Sequence, residues 1–322
     1  MLNAVRSTFS APTDSLSERA PQRALRRRGR AVALVAGLSV VAAIASTAPA
    51  AGAGVAPAAL TIPTLSNASA STTGVPAGTV LTVITGDLVV STPGAVIDAV
   101  DVRGFLKVTA PNVTIKRSVV RGRPITSSFA LVTNGAGLYP FTIEDSELVA
   151  ADASPHIAGI IGHNFTVRRT EIANVIDSVH ITGSNVLVED SYMHSNLYYA
   201  SDPNHKGGES HADSIQIQGG SNIRILRNNI RGAQATAIQT TQDRSQITGL
   251  TIKDNRIGGG KCTINMAYGS RPASTGVVIQ NNVFRLDTGY TRCAILAPTV
   301  HTIANVDNYF TDGAAVKVQR SF

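Results

Sequence analysis

The sequence contains no Trp, and only 5% of its 322 residues are aromatic, so a broad aromatic binding platform is not expected. Charged residues are also scarce at 15% against 43% hydrophobic, which excludes a disordered polyelectrolyte or a long coiled coil. Seven Arg against Asp14 and Glu18 give residues 1–53 +5 of the formal +7, which leaves +2 for the rest. Because no basic domain remains, we expect no nucleic-acid partner.

Long apolar runs are absent apart from one at residues 31–44, which follows the basic stretch R-R-R-G-R at 26–30. Small residues, A-P-A-A-G-A at 48–53, come after it. A basic head, a short apolar run and an A-x-A-like end predict a secretory signal peptide over residues 1–53. The alternative is a membrane anchor, but the run is shorter than the roughly 20 residues that span a bilayer. We therefore expect a secreted, extracellular protein that does not associate with a membrane after cleavage.

The rest of the chain lacks any long stretch with helical periodicity. Residues 54–78 are rich in Ala, Ser, Thr, Pro and Gly, which indicates a flexible lead-in. From residue 79 to 322, short runs of Val, Ile, Leu and Thr are interrupted every few residues by Gly, Asn or Asp. This pattern predicts an all-β domain.

A unit of about 25 residues recurs through that domain. An apolar-x-apolar triplet is followed closely by Ser, Thr or Asn, as in V-T-I-K-R-S at 113–118 and L-T-I-K-D-N at 250–255. We assign the recurring polar position to Ser118, Ser146, Thr170, Ser191, Asn229, Asn255, Asn282 and Asn308. A β-sandwich also spaces its strands regularly, but it does not repeat one polar residue at one phase of such a period. Stacked coils do, because each polar side chain bonds its equivalent one coil along.

The repeat therefore predicts a right-handed parallel β-helix, a solenoid of about eight coils with the first near residues 96–102. We expect it to be a monomer.

The chain resembles the secreted right-handed parallel β-helix proteins of the pectate-lyase and polygalacturonase type. The resemblance rests on the coil repeat and on G-A-V-I-D-A-V-D-V-R-G at 94–104 and A-P-N-V-T-I-K-R-S at 110–118, and covers residues 94–322. It implies a polysaccharide substrate, but it is specific for the fold and weak for the reaction, since function depends on sites and not folds.

Aligning the second strand of each coil places Cys262 and Cys293 at the same phase of adjacent coils. Equivalent positions of neighbouring coils lie about 4.8 Å apart, within reach of a disulfide. Two stacked free thiols are the alternative, but an oxidising compartment favours the bridge.

The same alignment gives two columns of polar residues. Asp177 and Asp213 share one phase of adjacent coils, and the second column holds His180, Gln216, Gln239 and Asn265 facing outward. A linear polymer could lie along such a face. The alternatives are a solvated amide ladder and Asp residues that merely form turns before each strand.

The interval of 38 residues between Ser191 and Asn229 indicates an inserted loop. Three of the seven Tyr and three of the seven His lie there, and its candidate site residues are Tyr198, Tyr199, Lys206 and His211. Insertions on rigid scaffolds often carry sites, although this one could also be a decorated loop without a role. Tyr268 and Arg271 on a lower coil are candidates to extend the surface, and His156, His163 and His301 are expected to be structural.

Three functions remain open, and we place a polysaccharide lyase first. In that case Asp177 and Asp213 hold Ca²⁺, Lys206 or His211 is the base, and Tyr198 or Tyr199 is the acid. A glycoside hydrolase would use the two Asp residues as acid and base, with a third carboxylate for a longer gap: Asp202, Glu209 or Asp243. The third possibility is a non-catalytic carbohydrate-binding surface protein. A zinc site of His180, His211 and Asp213 is disfavoured, because no fixed ligand spacing supports it.

Overall fold

The computed structural model describes residues 68–321, which form three parallel sheets. Sheet A contains Thr82–Thr85, Val100–Arg103, Val119–Val120, Glu147–Val149, Glu171–Ala173, Tyr192–His194, Asn229–Ala233, Arg256–Gly259, Val283–Phe284 and Tyr309–Phe310. Sheet B contains Leu88–Val90, Leu106–Val108, Phe129–Thr133, Ile157–Gly162, Val179–Ile181, Asp213–Ile217, Thr236–Thr240, Cys262–Met266, Ile295–Pro298 and Val318–Ser321. Sheet C contains Val96–Asp98, Val113–Lys116, Phe141–Glu144, Phe165–Arg168, Val186–Glu189, Gly220–Leu226, Ile247–Lys253, Val277–Gln280 and Ile303–Val306.

The chain visits the sheets in the fixed order A, B, C, and each strand pairs with the strand of the next coil. The parallel β-helix predicted from the repeat is confirmed. Sheets A and B have ten strands each and sheet C has nine, so about ten coils replace the expected eight. The first coil begins at Thr82, ahead of the expected start near residue 96. Val100 occupies the turn position that later coils fill with a polar residue, which hid the first coils from the repeat.

The apolar triplets of the repeat build the core because alternate side chains of a strand face opposite sides of a sheet. In sheet C, Ile115, Ile143 and Val167 are fully buried in consecutive coils, while the threonines that precede them are half-exposed. The same column continues through Val188, Ile225, Ile252 and Ile279. Parallel stacking therefore turns one sequence position into one continuous column of the core.

The recurring polar residue lies buried at the turn from sheet C to sheet A. Seven of the eight accept a hydrogen bond from the backbone N–H of the equivalent residue in the preceding coil, as Ser146 Oγ does from Ser118 at 3.1 Å. In the lower coils amide groups also bond one another, with Asn255 Nδ2 to Asn282 Oδ1 at 2.9 Å. The assignment of Asn229 was wrong. Asn228 is the buried member, and Asn229 lies on the outer face of sheet A.

One residue in left-handed conformation makes this turn in each coil, and the charges at that position alternate in sign down the stack. The alternation covers six consecutive coils, with φ between 45° and 57° at Arg117, Asp145, Arg169, Asp190, Arg227 and Asp254; Ala99 holds the position before them, and Asn281 and Asp307 hold it after them. Arg169 bonds Asp145 at 2.6 and 2.8 Å, and Arg227 bonds Asp190 at 2.9 Å twice. Since opposite charges pair only between neighbouring coils, the alternation favours the native stacking register.

The predicted disulfide between Cys262 and Cys293 is present in sheet B, with a Cα–Cα distance of 4.7 Å. It ties two consecutive coils near the C-terminal end of the stack, where the sequence separation is 31 residues.

Replacing both Cys262 and Cys293 with Ala is expected to lower the free energy of unfolding by about 3 kcal/mol, because the bridge restricts the unfolded chain. Urea denaturation of the oxidised protein and the double variant measures the difference. Addition of a reductant should destabilise the wild type alone, and equal midpoints in all samples would contradict the expectation.

The end of the segment expected to be a flexible lead-in packs against sheet A. Gly74 N–H donates to the Arg169 carbonyl at 3.0 Å, and Val75 N–H donates to Glu147 Oε1 at 3.3 Å. Asn229 Nδ2 donates to the Ala68 carbonyl at 2.8 Å. Residues 68–78 are therefore held on the outer face of the solenoid by backbone hydrogen bonds that the composition alone did not reveal.

The predicted signal peptide and residues 54–67 of the lead-in lie outside the described residues. Within residues 68–321, no helix is long and apolar enough to cross a membrane.

Candidate functional site

The inserted loop, residues 195–212, runs from Tyr192–His194 of sheet A to Asp213–Ile217 of sheet B; we call it the strap. Asn196 anchors its start, since Asn196 Nδ2 donates to the Ile176 carbonyl at 3.1 Å and Asn196 Oδ1 accepts from Ser214 Oγ at 2.8 Å. Its middle contains the 3₁₀ turn Pro203–His205, capped by Asp202 Oδ1, which accepts from Asn204 N–H at 2.8 Å.

Asn204 fastens the strap to coils higher in the stack. Its Nδ2 donates to the Pro155 carbonyl at 2.9 Å, and its Oδ1 accepts from Ser128 Oγ at 3.0 Å and lies 3.1 Å from His156 Nδ1. The strap therefore crosses the outer face of sheet B instead of projecting into solvent. It encloses one cavity against that face and another against the turns that lead from sheet A into sheet B.

The first cavity, the lysine cavity, has a volume of about 460 Å³. It is lined by Tyr198, Asn204, His205, Lys206, Gly208, Glu209, Ser210, His211, Gln234, Ala235 and Lys261. Lys206 has no carboxylate partner among the described residues, whereas Lys261 Nζ lies 3.8 Å from Glu209 Oε2 in an exposed pair. Two ammonium groups and one weakly held carboxylate make this cavity suited to an anionic ligand.

The second cavity, the aspartate cavity, has a volume of about 250 Å³. Its lining includes Phe129, His156, Asp177, His180, Asp202, Asn204, His205, His211 and Gln216. The rings of His205 and His211 stack with centroids 4.0 Å apart, and both line both cavities. The imidazole pair thus lies where the two cavities meet.

The two residues of the predicted carboxylate pair are adjacent in space and both largely buried, with Asp177 8% exposed, but only Asp177 lines a cavity. Asp213 N–H donates to Asp177 Oδ1 at 3.0 Å, which confirms that the two residues share a phase of neighbouring coils. Asp177 lines the aspartate cavity with its Oδ2 3.6 Å from His180 Nδ1. Asp213 is 2% exposed and lines neither cavity, and its Oδ1 has no hydrogen-bond partner. Burial, and then the Asp177 carboxylate, raise the pKa of Asp213 well above its ordinary value.

Replacing Asp213 with Asn is expected to stabilise the protein by about 2 kcal/mol at pH 8. A carboxyl whose pKa is raised by folding holds its proton more tightly in the native state, so wild-type stability falls as pH rises above 3.8 toward the folded pKa. Asn removes that penalty, so the gain should disappear near pH 4. Denaturation at both pH values measures it, with the exposed Asp243→Asn as control; a loss of stability at pH 8 would contradict this reading.

The protonation states of His211 and Tyr199 in the strap suit proton transfer. Partial desolvation of the imidazole first, and then the neighbouring His205, lower the pKa of His211 below 6.5, although the residue as a whole is exposed; Asp177 and Asp202 partly oppose this shift. The imidazole is therefore neutral at pH 7 and able to accept a proton. Burial, and then Asp202, raise the pKa of Tyr199, so its phenol stays protonated. Tyr199 lines neither cavity, however, while the exposed Tyr198 lines the lysine cavity.

The outward column of sheet B has the predicted register, His180 to Gln216 to Gln239 to Asn265. Only its first two members line a cavity. Asn265 Nδ2 donates to Gln239 Oε1 at 2.9 Å, so these two form the amide ladder that was the alternative reading.

Tyr268 and Arg271 lie after the opposite ends of the sheet B strands from the strap, and they line neither cavity. Tyr268 packs edge-on against His301, with ring centroids 5.7 Å apart, and Arg271 Nη2 donates to the Asp243 carbonyl at 3.2 Å. The expectation that they extend the site was wrong, because the chain turns away toward sheet C after Met266.

The model of the right handed beta helix region matches residues 103–292, which is more than half of the chain. The chain belongs to this β-helix family. The Dettilon tailspike protein is similar at 11% identity and a TM-score of 0.35, over 74% of this chain and 60% of that chain. The protein thus spans less than two thirds of that tailspike. No curated protein matches the sequence.

Several cavity residues of this β-helix protein were not among the predicted site residues, and those with polar or charged side chains include His156, Asn204, His205 and Lys261. His156 was expected to be structural. It bonds Asn204 across a sequence distance of 48 residues, because the strap reaches back over earlier coils. The coil alignment did carry a signal for Lys261, since it immediately precedes Cys262, the equivalent of Thr236.

The described residues contain no group of three or more His, Cys, Asp or Glu side chains that could hold a metal ion. Ca²⁺ takes six to eight oxygen ligands. At the expected calcium site, Asp177 Oδ1 already accepts the Asp213 N–H, and the Asp213 carboxyl is closed off with a raised pKa. This donor set does not fit Ca²⁺.

A third concavity of about 500 Å³ lies on sheet C, away from the strap. Its lining is built from Asn112, Val113, Thr114, Pro140, Phe141, Thr142, Asn164, Phe165, Thr166 and Asn185. None of these side chains titrates, so the groove offers no group for acid–base chemistry.

Proposed function

We propose that the protein is a secreted polysaccharide lyase that cleaves a uronic-acid-containing glycan by β-elimination beneath the strap. The β-helix fold is compatible with proteins that bind or degrade polysaccharides. The observation that carries the proposal is the lysine cavity, which combines Lys206, Lys261 and Tyr198 with His211, whose pKa is lowered. These are the charges and proton-transfer groups that elimination on a uronate requires.

In the proposed reaction Lys206 and Lys261 bind the uronate carboxylate and offset its charge, which makes the C5 proton more acidic. His211 removes that proton, and the electron pair left on C5 forms the C4–C5 double bond. The bond from C4 to the glycosidic oxygen breaks, and Tyr198 donates its phenolic proton to the departing oxygen. The products are a new non-reducing-end unsaturated uronide and a shortened chain, and water restores both protonation states.

The burial of Asp213 favours this reaction over hydrolysis by the Asp177–Asp213 pair. A hydrolase needs two carboxyl groups that both reach the scissile bond, directly or through a water. Asp213 is 2% exposed and lines neither cavity, so it is better placed to position Asp177 through its backbone N–H.

The test is a panel of uronic-acid polysaccharides monitored by the ultraviolet absorbance of the unsaturated product, beside a reducing-sugar assay on neutral glycans. We expect absorbance on at least one uronate polymer, and the same rate after chelator treatment. Reducing ends without absorbance would replace the lyase by a hydrolase. Binding to a uronate polymer without any cleavage would leave a carbohydrate-binding protein.

A further inference from the structure

Sheet A carries three arginines that the proposed reaction does not use: Arg231, Arg256 and Arg285. Arg231 and Arg256 are exposed on the outer face of neighbouring strands, and Arg285 directly follows the next strand. In residues 68–321 none of the three lies within ion-pair distance of a carboxylate, although most other arginines on the solenoid do. The patch is therefore an excess of positive charge on this face.

The side chain of Arg285 is held in place by its neighbours. A Cβ at Gly258 would come within 2.6 Å of Arg285 Cβ and 2.7 Å of its Cδ, so the guanidinium stem occupies space that only glycine leaves free. Arg285 Nη2 donates to Asn229 Oδ1 at 2.9 Å, which fixes the plane of the guanidinium. A solvated surface arginine needs neither arrangement.

The other terminal nitrogen, Arg285 Nη1, is buried and has no hydrogen-bond partner. Burial and the nearby Arg256 lower the pKa of Arg285, and Arg231 acts in the same direction. Asp287 opposes them, but its Oδ1 already accepts the Gly259 N–H at 2.9 Å. An unpaired buried donor among like charges is costly, and an anion bound at the exposed Arg231 and Arg256 would offset the positive charge around it.

The patch adjoins the lysine cavity along the chain. Arg231 precedes Gln234 by three residues, and Arg256 precedes Lys261 by five. Both Gln234 and Lys261 line that cavity. We propose that Arg231, Arg256 and Arg285 form a second anion subsite, which binds a carboxylate or sulfate of the polysaccharide chain beyond the sugar held beneath the strap. The identity of the polymer rests on the proposed function, whereas the anion site itself does not.

The chain's own N-terminal segment does not supply the missing anion. Residues 54–78 contain no Asp or Glu, although the Ala68 carbonyl is close enough to accept from Asn229. The part of this segment that the structure describes therefore does not neutralise the patch, and a polyanion offers several negative groups at once.

The test compares the affinity for polygalacturonate and for heparin in the wild type, the Arg231→Gln/Arg256→Gln double variant and Arg285→Gln. Arg224→Gln is the matched control, since Arg224 is exposed on sheet C and also lacks an ion pair in the described chain. We expect the double variant and Arg285→Gln to bind at least one polymer about ten-fold more weakly, with a shallower salt dependence. Affinity of the lysine cavity for monomeric galacturonate, which cannot occupy both sites at once, should not change.

Equal weakening by Arg224→Gln would overturn the subsite in favour of general attraction by net charge. Unchanged affinity of the double variant for both polymers would overturn it as well, and this variant keeps the test open if Arg285→Gln fails to fold. If binding depends on the patch but no substrate is turned over, the proposed reaction is wrong and the subsite stands. If a substrate is turned over but binding does not depend on the patch, the proposed reaction stands and the subsite is wrong.

Discussion

Replacing His211 with Gln is expected to lower kcat/KM on a uronic-acid polysaccharide by about a hundred-fold to ten-thousand-fold. Gln keeps the approximate volume and hydrogen-bonding capacity of the side chain but cannot accept the C5 proton. The matched control is His194→Gln on sheet A, where His194 Nε2 lies 2.8 Å from Glu171 Oε1 and lines neither cavity. Its turnover should stay within a few-fold of the wild type. Comparable losses in both variants would contradict the assignment of the base.

The pH profile gives the same assignment an independent check. His211 acts as a base only when neutral, so kcat/KM should fall as pH decreases through its folded pKa. Because burial and His205 lower that pKa, the acid limb is expected below the ordinary 6.5 of imidazole. A limb above 6.5, or one that persists in His211→Gln, would assign the titration to a different group.

Replacing Asn255 with Ala is expected to lower the free energy of unfolding by about 4 kcal/mol, because it removes several bonds of the buried ladder at once. Asn255 Oδ1 accepts from the Asn228 N–H at 2.7 Å, and Asn255 Nδ2 donates to the Ile225 carbonyl at 2.8 Å. Ala leaves both groups unpaired in a position with no solvent access. Chemical denaturation followed by circular dichroism measures the change.

Asn265→Ala is the control for that experiment. Asn265 also belongs to an amide ladder, but it faces outward and its side chain donates one bond, to Gln239 Oε1. The free energy of unfolding should change by about 1 kcal/mol or less. Similar losses at both positions would mean that burial does not distinguish the two ladders.

The fold was predictable because stacking converts each structural requirement into a sequence period. The buried triplets and the polar turn residue repeat from coil to coil, and the two cysteines that meet in sheet B share one phase of two adjacent coils. The coil assignments were wrong where a residue departs from this repeat. Val100 in place of a polar residue hid the first coils, and two consecutive asparagines at 228 and 229 shifted one ladder assignment by a residue. The alternating charges at the turn were visible in the sequence, but which of them form ion pairs depends on the stacking register of the coils.

The site was less predictable because the path of the strap is not periodic. The coil alignment placed Asp177, His180 and Gln216 together, and they do line one cavity. The burial of Asp213 was not foreseen, although strand alternation carried the signal, since Asp213 shares the phase of the buried Ile215 and Ile217. His156 and Lys261 enter the cavities only because the strap folds back across the stack.

The central claim is that two lysines beneath the strap offset the charge of a uronate so that its C5 proton can be removed. The most direct measurement is the initial rate of unsaturated product formation by the wild type and a Lys206→Gln/Lys261→Gln variant on polygalacturonate and on its methyl ester. Because esterification already removes the carboxylate charge, we expect the variant to lose about a hundred-fold on the acid and only a few-fold on the ester. Equal losses on both substrates would contradict the role of the lysines and, with it, the proposed mechanism.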